Sequence, residues 1–226
     1  MFDREELLIG KEKLELLKTK HVLILGVGGV GGYVVESLAR SGINQLTIID
    51  YDKVDITNIN RQIIALHSNI GKKKVDCFKE RILDINPDCV VTALDLFYNA
   101  ENKDLIFKDK VDFIIDCCDS LNSKKIIIEE AINRNIPIIS SMGAGNKLHP
   151  ELFKIEKLKK TAYDPLAKKL RYLLKDNKEA LNIPVAYSEE RGIVKITDKI
   201  PSIAFVPSAV GLLISSYVII TLIKGE

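Results

Sequence analysis

The sequence predicts an α/β fold, a mostly parallel sheet with helices on its faces, and three observations carry that prediction. Strand-like and helix-like segments alternate from His21 to Ser141, at a spacing that demands parallel strands joined by right-handed crossovers. The unbroken apolar run Val22 to Leu25 leads into a glycine-rich turn, Gly26-Val-Gly28-Gly29-Val-Gly31-Gly32. Two later strand-like segments each close on an acid, Asp50 and Asp116, which puts both carboxylates at strand C-termini, where such sheets bind ligands. The arrangement is Rossmann-like.

Taken in order, Arg4 to Thr19 reads as a turn followed by a helix, with Leu14, Leu17 and Leu7 as its apolar contacts. Val22 to Leu25 has no polar alternation, so this strand is expected to be buried on both faces. The glycines after it remove every Cβ where the chain turns into a helix from about Gly31 to Arg40. Backbone N–H groups and the positive end of that helix can then approach a phosphate directly. The strand Gln45 to Asp50 ends about 20 residues on, where an acid usually takes ribose hydroxyls. A polar crossover from Asp52 to Gly71 precedes a helix from about Lys72 to Asn86, which Pro87 stops. Strand Cys89 to Leu94, a short helix Ala100 to Lys108, strand Val111 to Asp116, helix Asn122 to Asn135 and strand Ile136 to Ser141 complete the alternation.

Beyond Ser141 the pattern changes. Met142 to Lys147 reads as a flexible polar turn, Lys154 to Lys178 as a basic helical segment, Ile183 to Val206 as a β-rich stretch, and Pro207 as the start of a last helix. One domain, 1–226, is expected, with a nucleotide-binding core over 1–141 and a substrate-facing crossover and C-terminal helix over 142–226.

The apolar share of 46% and charged share of 28% are those of a globular protein, and the net charge of +2 means that any attraction to a polyanion is local. The local source is 154–178, with nine basic residues against three acidic. Cys77, Cys89, Cys117 and Cys118 form no C-x-x-C pair and read as packed thiols in a reducing compartment, so a cytoplasmic location is expected. Pro201 to Ile223 carries no charge and is long enough to cross a bilayer, making membrane association through 203–223 the alternative. Ser208, Gly211 and Ser215 on one helical face favour a buried or dimer-interface helix instead.

On residue type alone, the glycine turn with Asp50 also fits a dinucleotide dehydrogenase. The segment Asp50-Tyr-Asp52-Lys-Val-Asp55-Ile-Thr-Asn58-Ile-Asn60-Arg61-Gln62 shifts the reading, because it crowds acids, amides and an arginine where a dehydrogenase has an ordinary loop. With Lys74, the cluster Asp116-Cys-Cys-Asp119-Ser-Leu-Asn122-Ser and Arg4, it resembles the adenylating enzymes of the ubiquitin-activating, MoeB, ThiF and HesA superfamily. Activating a carboxylate with ATP requires an α-phosphate held in line while pyrophosphate leaves, and fixed cations and a metal supply most of the catalysis. Arg61 and Lys74 suit that role, Asp119 suits Mg²⁺ and Asp50 the ribose. The resemblance implies a nucleotide site of Gly26, Gly28, Gly29, Gly31, Asp50, Asp52, Asn58, Arg61, Lys74 and Asp119. It also implies that Arg4 is contributed across a homodimer to join Arg61, Lys74 and Asp119 in catalysis. Bland readings stand beside these: a surface ion pair for Arg61, a solvated face with Lys72 and Lys73 for Lys74, a structural role for Asp116, and an exposed terminal charge for Arg4.

No cysteine follows Cys118, which argues against a thioester or persulfide step in the crossover. The strings Ser140-Ser-Met-Gly143-Ala-Gly145-Asn146-Lys147-Leu-His-Pro150, Lys160-Thr161-Ala-Tyr-Asp164-Pro165-Leu166-Ala167, Val185-Ala-Tyr-Ser188-Glu189 and Ile203-Ala-Phe205-Val206-Pro207-Ser208 resemble the tRNA threonylcarbamoyladenosine dehydratases over essentially the whole chain. That resemblance implies ATP-dependent dehydration, by cyclisation, of threonylcarbamoyladenosine in tRNA through adenylation of the threonyl carboxylate. It further implies a monovalent cation, Na⁺ or K⁺, near the Gly143 to Lys147 turn, and cysteine desulfurase or sulfur-acceptor partners. Two departures from the family are a short connection between Glu190 and Pro201 and His149 in place of an aspartate. The alternative function is ThiF- or MoeB-like adenylation of a ubiquitin-like sulfur-carrier protein.

Overall fold

The computed structural model describes residues 1–195 and 199–225. Seven strands, β1 (His21–Leu25), β2 (Gln45–Ile49), β3 (Val90–Leu94), β4 (Phe113–Asp116), β5 (Ile138–Ser141), β6 (Phe153–Lys157) and β7 (Pro184–Ser188), form one sheet in the order β3-β2-β1-β4-β5-β7-β6. All neighbours are parallel except β6 with β7. Seven α-helices accompany them: α1 (Asp3–Ile9), α2 (Lys11–Lys18), α3 (Gly31–Arg40), α4 (Lys74–Ile85), α5 (Leu121–Asn133), α6 (Pro165–Leu173) and α7 (Phe205–Lys224). The chain reverses its direction of travel across the sheet between β1 and β4, so the C-terminal ends of those strands open a crevice.

The unbroken apolar run in β1 has a direct cause. Val22 and Ile24 enter one core with Val34, Leu38, Phe78, Val210 and Ile214, while Leu23 and Leu25 enter the other with Ile49, Ile114, Ile127 and Leu170. Helix α7 belongs to the first core, burying Val206, Val210, Ile214, Val218 and Leu222 at a four-residue spacing. It lies hard against α3: a Cβ on Gly211 would fall 2.5 Å from the Val30 carbonyl oxygen. It is long and apolar enough to cross a membrane, yet this face is spent on the protein core.

Several expectations are corrected. The N-terminal segment is two helices rather than a turn and a helix, because Gly10 adopts φ 88° between them, and Leu7 is 88% exposed instead of packed. Residues 100–108 hold only a 3-10 turn, Lys103–Ile106, since Asn99 and Asn102 spend their side chains on nearby backbone groups. The basic segment 154–178 is not one helix. Alternation around Phe153 and Ile155 makes β6, which pairs antiparallel with β7, and α6 starts only where Asp164 caps it and Pro165 occupies its first turn. The β-rich stretch 183–206 contains, among the described residues, the single strand β7, and part of the 190–201 connection lies outside the described residues. Helix α7 begins two residues before Pro207, which sits in its first turn.

Candidate active site

A cavity of about 600 Å³ opens at the C-terminal ends of the central strands. Its lining unites Gly26, Gly28, Gly29, Asp50, Asp52, Arg61, Lys74 and Asp119, drawn from three separate connections and the first turn of α4.

The glycines divide into two kinds. Gly26 has φ 85°, and a Cβ there would meet the Cys118 backbone at 2.8 Å; a Cβ on Gly31 would fall 1.8 Å from the Gly26 carbonyl oxygen. Both serve the close turn, and Gly31 is buried in the start of α3 without lining the cavity. Gly28 and Gly29 have room beside them and face the cavity, so they are the positions at which a phosphate can approach bare backbone.

Asp50 fastens this turn. Its Oδ2 accepts the Val27 N–H at 2.8 Å and its Oδ1 the Asp52 N–H at 2.9 Å, leaving one lone pair on each oxygen for hydroxyl donors. Burial pushes the carboxyl above its ordinary range, against the opposing pull of Lys74 and these two N–H groups. Lys74 enters from the first turn of α4 and is 3% exposed, whereas Lys72 and Lys73 lie at the surface. Its Nζ donates to Asp52 Oδ2 at 2.7 Å, and its backbone N–H to the Asp52 carbonyl at 3.0 Å. An ammonium has three donors, so two are left to meet an anion in the cavity. The solvated-face reading of Lys74 is thereby excluded, and Asp52 acquires a role as its orienting partner.

Arg61 reaches the cavity with Nη1 donating to the Thr57 carbonyl (2.9 Å) and Asn60 Oδ1 (2.7 Å), which fixes the guanidinium while leaving other N–H groups free. Asn58 does not line the cavity. Its Oδ1 accepts the Asp55 N–H at 3.2 Å, and its carbonyl accepts the Arg61 N–H at 3.1 Å, so it shapes the turn that presents Arg61. Asp119 is exposed at the mouth and has, among the described residues, neither a hydrogen bond nor an ion pair. Asp50, Tyr51, Asp52 and Asp119 line the same cavity, and the Tyr51 phenol is pushed up by Asp52, then by burial and, more weakly, by Asp119 and Asp50. No group of three His, Cys, Asp or Glu suited to a metal occurs among the described residues. A single free carboxylate still fits Mg²⁺, which keeps its waters and takes the rest of its shell from substrate phosphates. Arg4 is exposed on α1 and does not line the cavity.

Sequence reading missed what lies beneath and beside this site. Asp116 and Lys124 are both fully buried and paired at 3.0 Å, with Ser140 Oγ donating to Asp116 Oδ2 at 2.6 Å and Lys124 Nζ to the Ser141 carbonyl at 2.8 Å. Asp116 holds the ammonium protonated against desolvation, and the pair ties β4, β5 and α5 together under the cavity floor. Burial, then Asp116, pushes the Cys117 thiol up to about 12 and raises Cys118 as well, so neither is a thiolate at neutral pH. Gln62 lines the cavity with its buried Oε1 unpartnered among the described residues. Asp164 and Lys169 line the opposite wall, and Asp164 Oδ2 accepts the Gly143 N–H at 3.1 Å. The Gly143 to Lys147 turn is not loose: Asn146 and Lys147 are buried, and Lys147 Nζ donates to the Glu190 carbonyl at 2.6 Å. At His149 a carboxylate is present after all, since Glu190 accepts its N–H and Glu151 meets its Nδ1 at 2.8 Å. Of these, Asp116 carried a readable signal in its place at a strand end, which the structural reading of it above used, and Asp164 before Pro165 carried that of a helix N-cap; Lys124, Gln62 and Lys169 carried none.

Residues 2–225 match the model of the ThiF family. The tRNA threonylcarbamoyladenosine dehydratase of Bacillus subtilis is 44% identical over 99% of this chain and 94% of its own length. The tRNA threonylcarbamoyladenosine dehydratase of Escherichia coli is 40% identical over 75% of this chain, a match that spans 63% of that protein. The crystal structure of the E. coli enzyme in complex with ATP superposes with a TM-score of 0.93 at 33% identity, covering 99% of this chain and 94% of that one. E. coli MccB with ATP shares the fold alone, at a TM-score of 0.70 and 21% identity over all of this chain and 64% of that one.

Proposed function

The chain belongs to the ThiF family and, within it, to the tRNA threonylcarbamoyladenosine dehydratases, and from that premise we infer how its cavity performs the family's reaction. The protein is an ATP-dependent enzyme that dehydrates threonylcarbamoyladenosine in tRNA. When bound, ATP supplies the adenylyl group that activates the threonyl carboxylate, with pyrophosphate released; the neighbouring carbamoyl group attacks the activated carboxyl carbon, closes the ring and expels AMP, which carries off one carboxylate oxygen, a net loss of water from the nucleoside.

The observation that carries this reading is the convergence of Lys74, Arg61 and Asp119 on a bare-backbone phosphate cradle, with Asp50 behind it. Gly28, Gly29 and the α3 N-terminus receive phosphate oxygens, and Asp50 accepts the ribose hydroxyls. Lys74, oriented by Asp52, and Arg61, oriented by Thr57 and Asn60, stabilise the negative charge that grows as pyrophosphate leaves. Asp119 is the residue that would hold Mg²⁺, which would supply further neutralisation of that charge. No side-chain nucleophile is needed, because the nucleophile belongs to the substrate. The neutral Cys117 and Cys118 thiols and the absence of any later cysteine therefore favour ring closure over adenylation of a sulfur-carrier protein followed by thiol transfer.

The same reading includes a homodimer in which Arg4 enters the partner's site, because α1 is exposed along Leu7 and Leu8 and α7 along Leu212 and Ile220. A monovalent cation at the Gly143 to Lys147 turn, a cytoplasmic location and sulfur-mobilising partners complete it. Incubating the protein with ATP, Mg²⁺ and tRNA carrying threonylcarbamoyladenosine, then digesting the tRNA to nucleosides for mass spectrometry, tests the reaction. A product lighter than the starting nucleoside by one water is expected, in stoichiometric yield with AMP; its absence refutes the reading.

A further inference from the structure

Two segments remote in sequence are anchored on the same turn at the cavity wall. The connection from β6 to α6 is held there by Asp164, which accepts the Gly143 N–H, and the chain leaving β7 is held by Asn146, whose Oδ1 accepts the Ile193 and Val194 N–H groups at 3.1 and 3.0 Å. Gly143, Ala144 and Gly145 of that turn line the cavity. Where the segments meet, the Arg191 guanidinium lies over the Tyr163 ring, 4.8 Å from its centroid.

Tyr163 has features that packing does not explain. The residue is 61% exposed, and its backbone is left-handed at φ 59°, a conformation that a residue with a Cβ adopts only against steric resistance. The neighbouring Asp164 both caps α6 and grips Gly143, so the surrounding structure imposes this conformation and turns the ring outward beside the cavity. The ring takes no part in the reaction described above.

An exposed aromatic ring with a planar cation over one face is a surface for an unstacked nucleobase. The reacting adenosine supplies such a base. Bringing its threonyl carboxylate into the cavity takes that adenosine out of contact with the bases beside it, which leaves a flanking base without a stacking neighbour. We propose that Tyr163, together with Arg191, is the stacking platform for a base that flanks the modified adenosine, and so acts as a positioning residue for the RNA. This rests on the reading that tRNA is the substrate.

The test uses full-length modified tRNA, intact or made abasic at one or the other nucleotide flanking the modified adenosine, with wild-type protein and Tyr163→Ala, Tyr163→Phe and Arg191→Ala variants. On intact tRNA, Tyr163→Ala is expected to raise KM for tRNA about tenfold with kcat and ATP affinity within about twofold, and Tyr163→Phe to stay near wild type. The Tyr163→Ala loss should vanish on one of the two abasic tRNAs, where wild type has already lost the same factor. A Tyr163→Ala protein that binds intact tRNA as wild type does, or loses the same factor on both abasic tRNAs, overturns the platform. Wild-type protein that fails to bind and convert intact tRNA overturns the substrate reading itself, and the platform with it, before any variant is compared.

Discussion

At the scale of single residues, the proposed mechanism separates groups that bind from groups that act on developing charge. In the proposed mechanism both Arg61 and Asp119 meet charge that grows during pyrophosphate release, so Arg61→Ala and Asp119→Ala should each lower turnover by about a hundredfold or more while ATP still binds. Single-turnover kinetics with circular dichroism as a fold control checks this. Cys117→Ser and Cys118→Ser should leave turnover within about twofold, since burial keeps both thiols neutral; loss of all turnover in a folded serine variant would establish thiol chemistry. Asp50 gives a pH dependence with a definite sign. In its proposed role it accepts ribose hydroxyls best when ionised, and its carboxyl titrates above the ordinary 3.8, so ATP affinity should begin to fall at a higher pH than an unperturbed aspartate would allow. The linked stability runs the other way, because a raised folded pKa favours the folded state as pH drops through it. Calorimetric ATP titrations from pH 7 downward, with Asp50→Asn losing the acid-dependent part, test the assignment.

At the scale of elements, the buried Asp116–Lys124 pair is what sets β4, β5 and α5 in one frame. Removing one partner strands a charge in the core, so Lys124→Ala should destabilise the fold by about 3–5 kcal/mol in urea melts, far more than any exposed ion pair here. The basic crossover also looks different as a structure than as a string. Arg171 donates to the Thr161 carbonyl at 2.9 Å and to its hydroxyl, and Lys154 pairs with Glu189, so these charges are committed. Lys168 and Lys169 on α6 are exposed, and Lys169 reaches the cavity wall. Lys168→Ala, which removes the charge that does not line the cavity, should flatten the dependence of log tRNA affinity on log salt by up to about one unit and leave ATP affinity unchanged. An unaltered slope would move the phosphate contacts elsewhere on the surface.

At the scale of the whole molecule, the homodimer reading predicts that Arg4→Ala lowers turnover and that mixing it with an Arg61→Ala protein restores part of the loss, because one composite site would then regain both arginines. Sedimentation at micromolar concentration should show twice the chain mass of 25.3 kDa, and a monomer active at that concentration would refute the arrangement. Local demands were legible in the sequence by itself. Strand β1, the glycine turn, helix α3 and Asp50 follow from backbone sterics and from an apolar run that only a doubly covered strand explains, and the lack of a later cysteine followed from the letters alone. Only the tertiary structure separated buried Lys74 from exposed Lys72 and Lys73, paired Asp116 with Lys124, withdrew Asn58 and Arg171 into supporting roles, and turned the first part of the basic segment into an edge strand. Each of those outcomes depends on which distant segment arrives alongside, and propensity, periodicity and charge count act over a few residues, so they are silent about a partner that packing brings in from far along the chain.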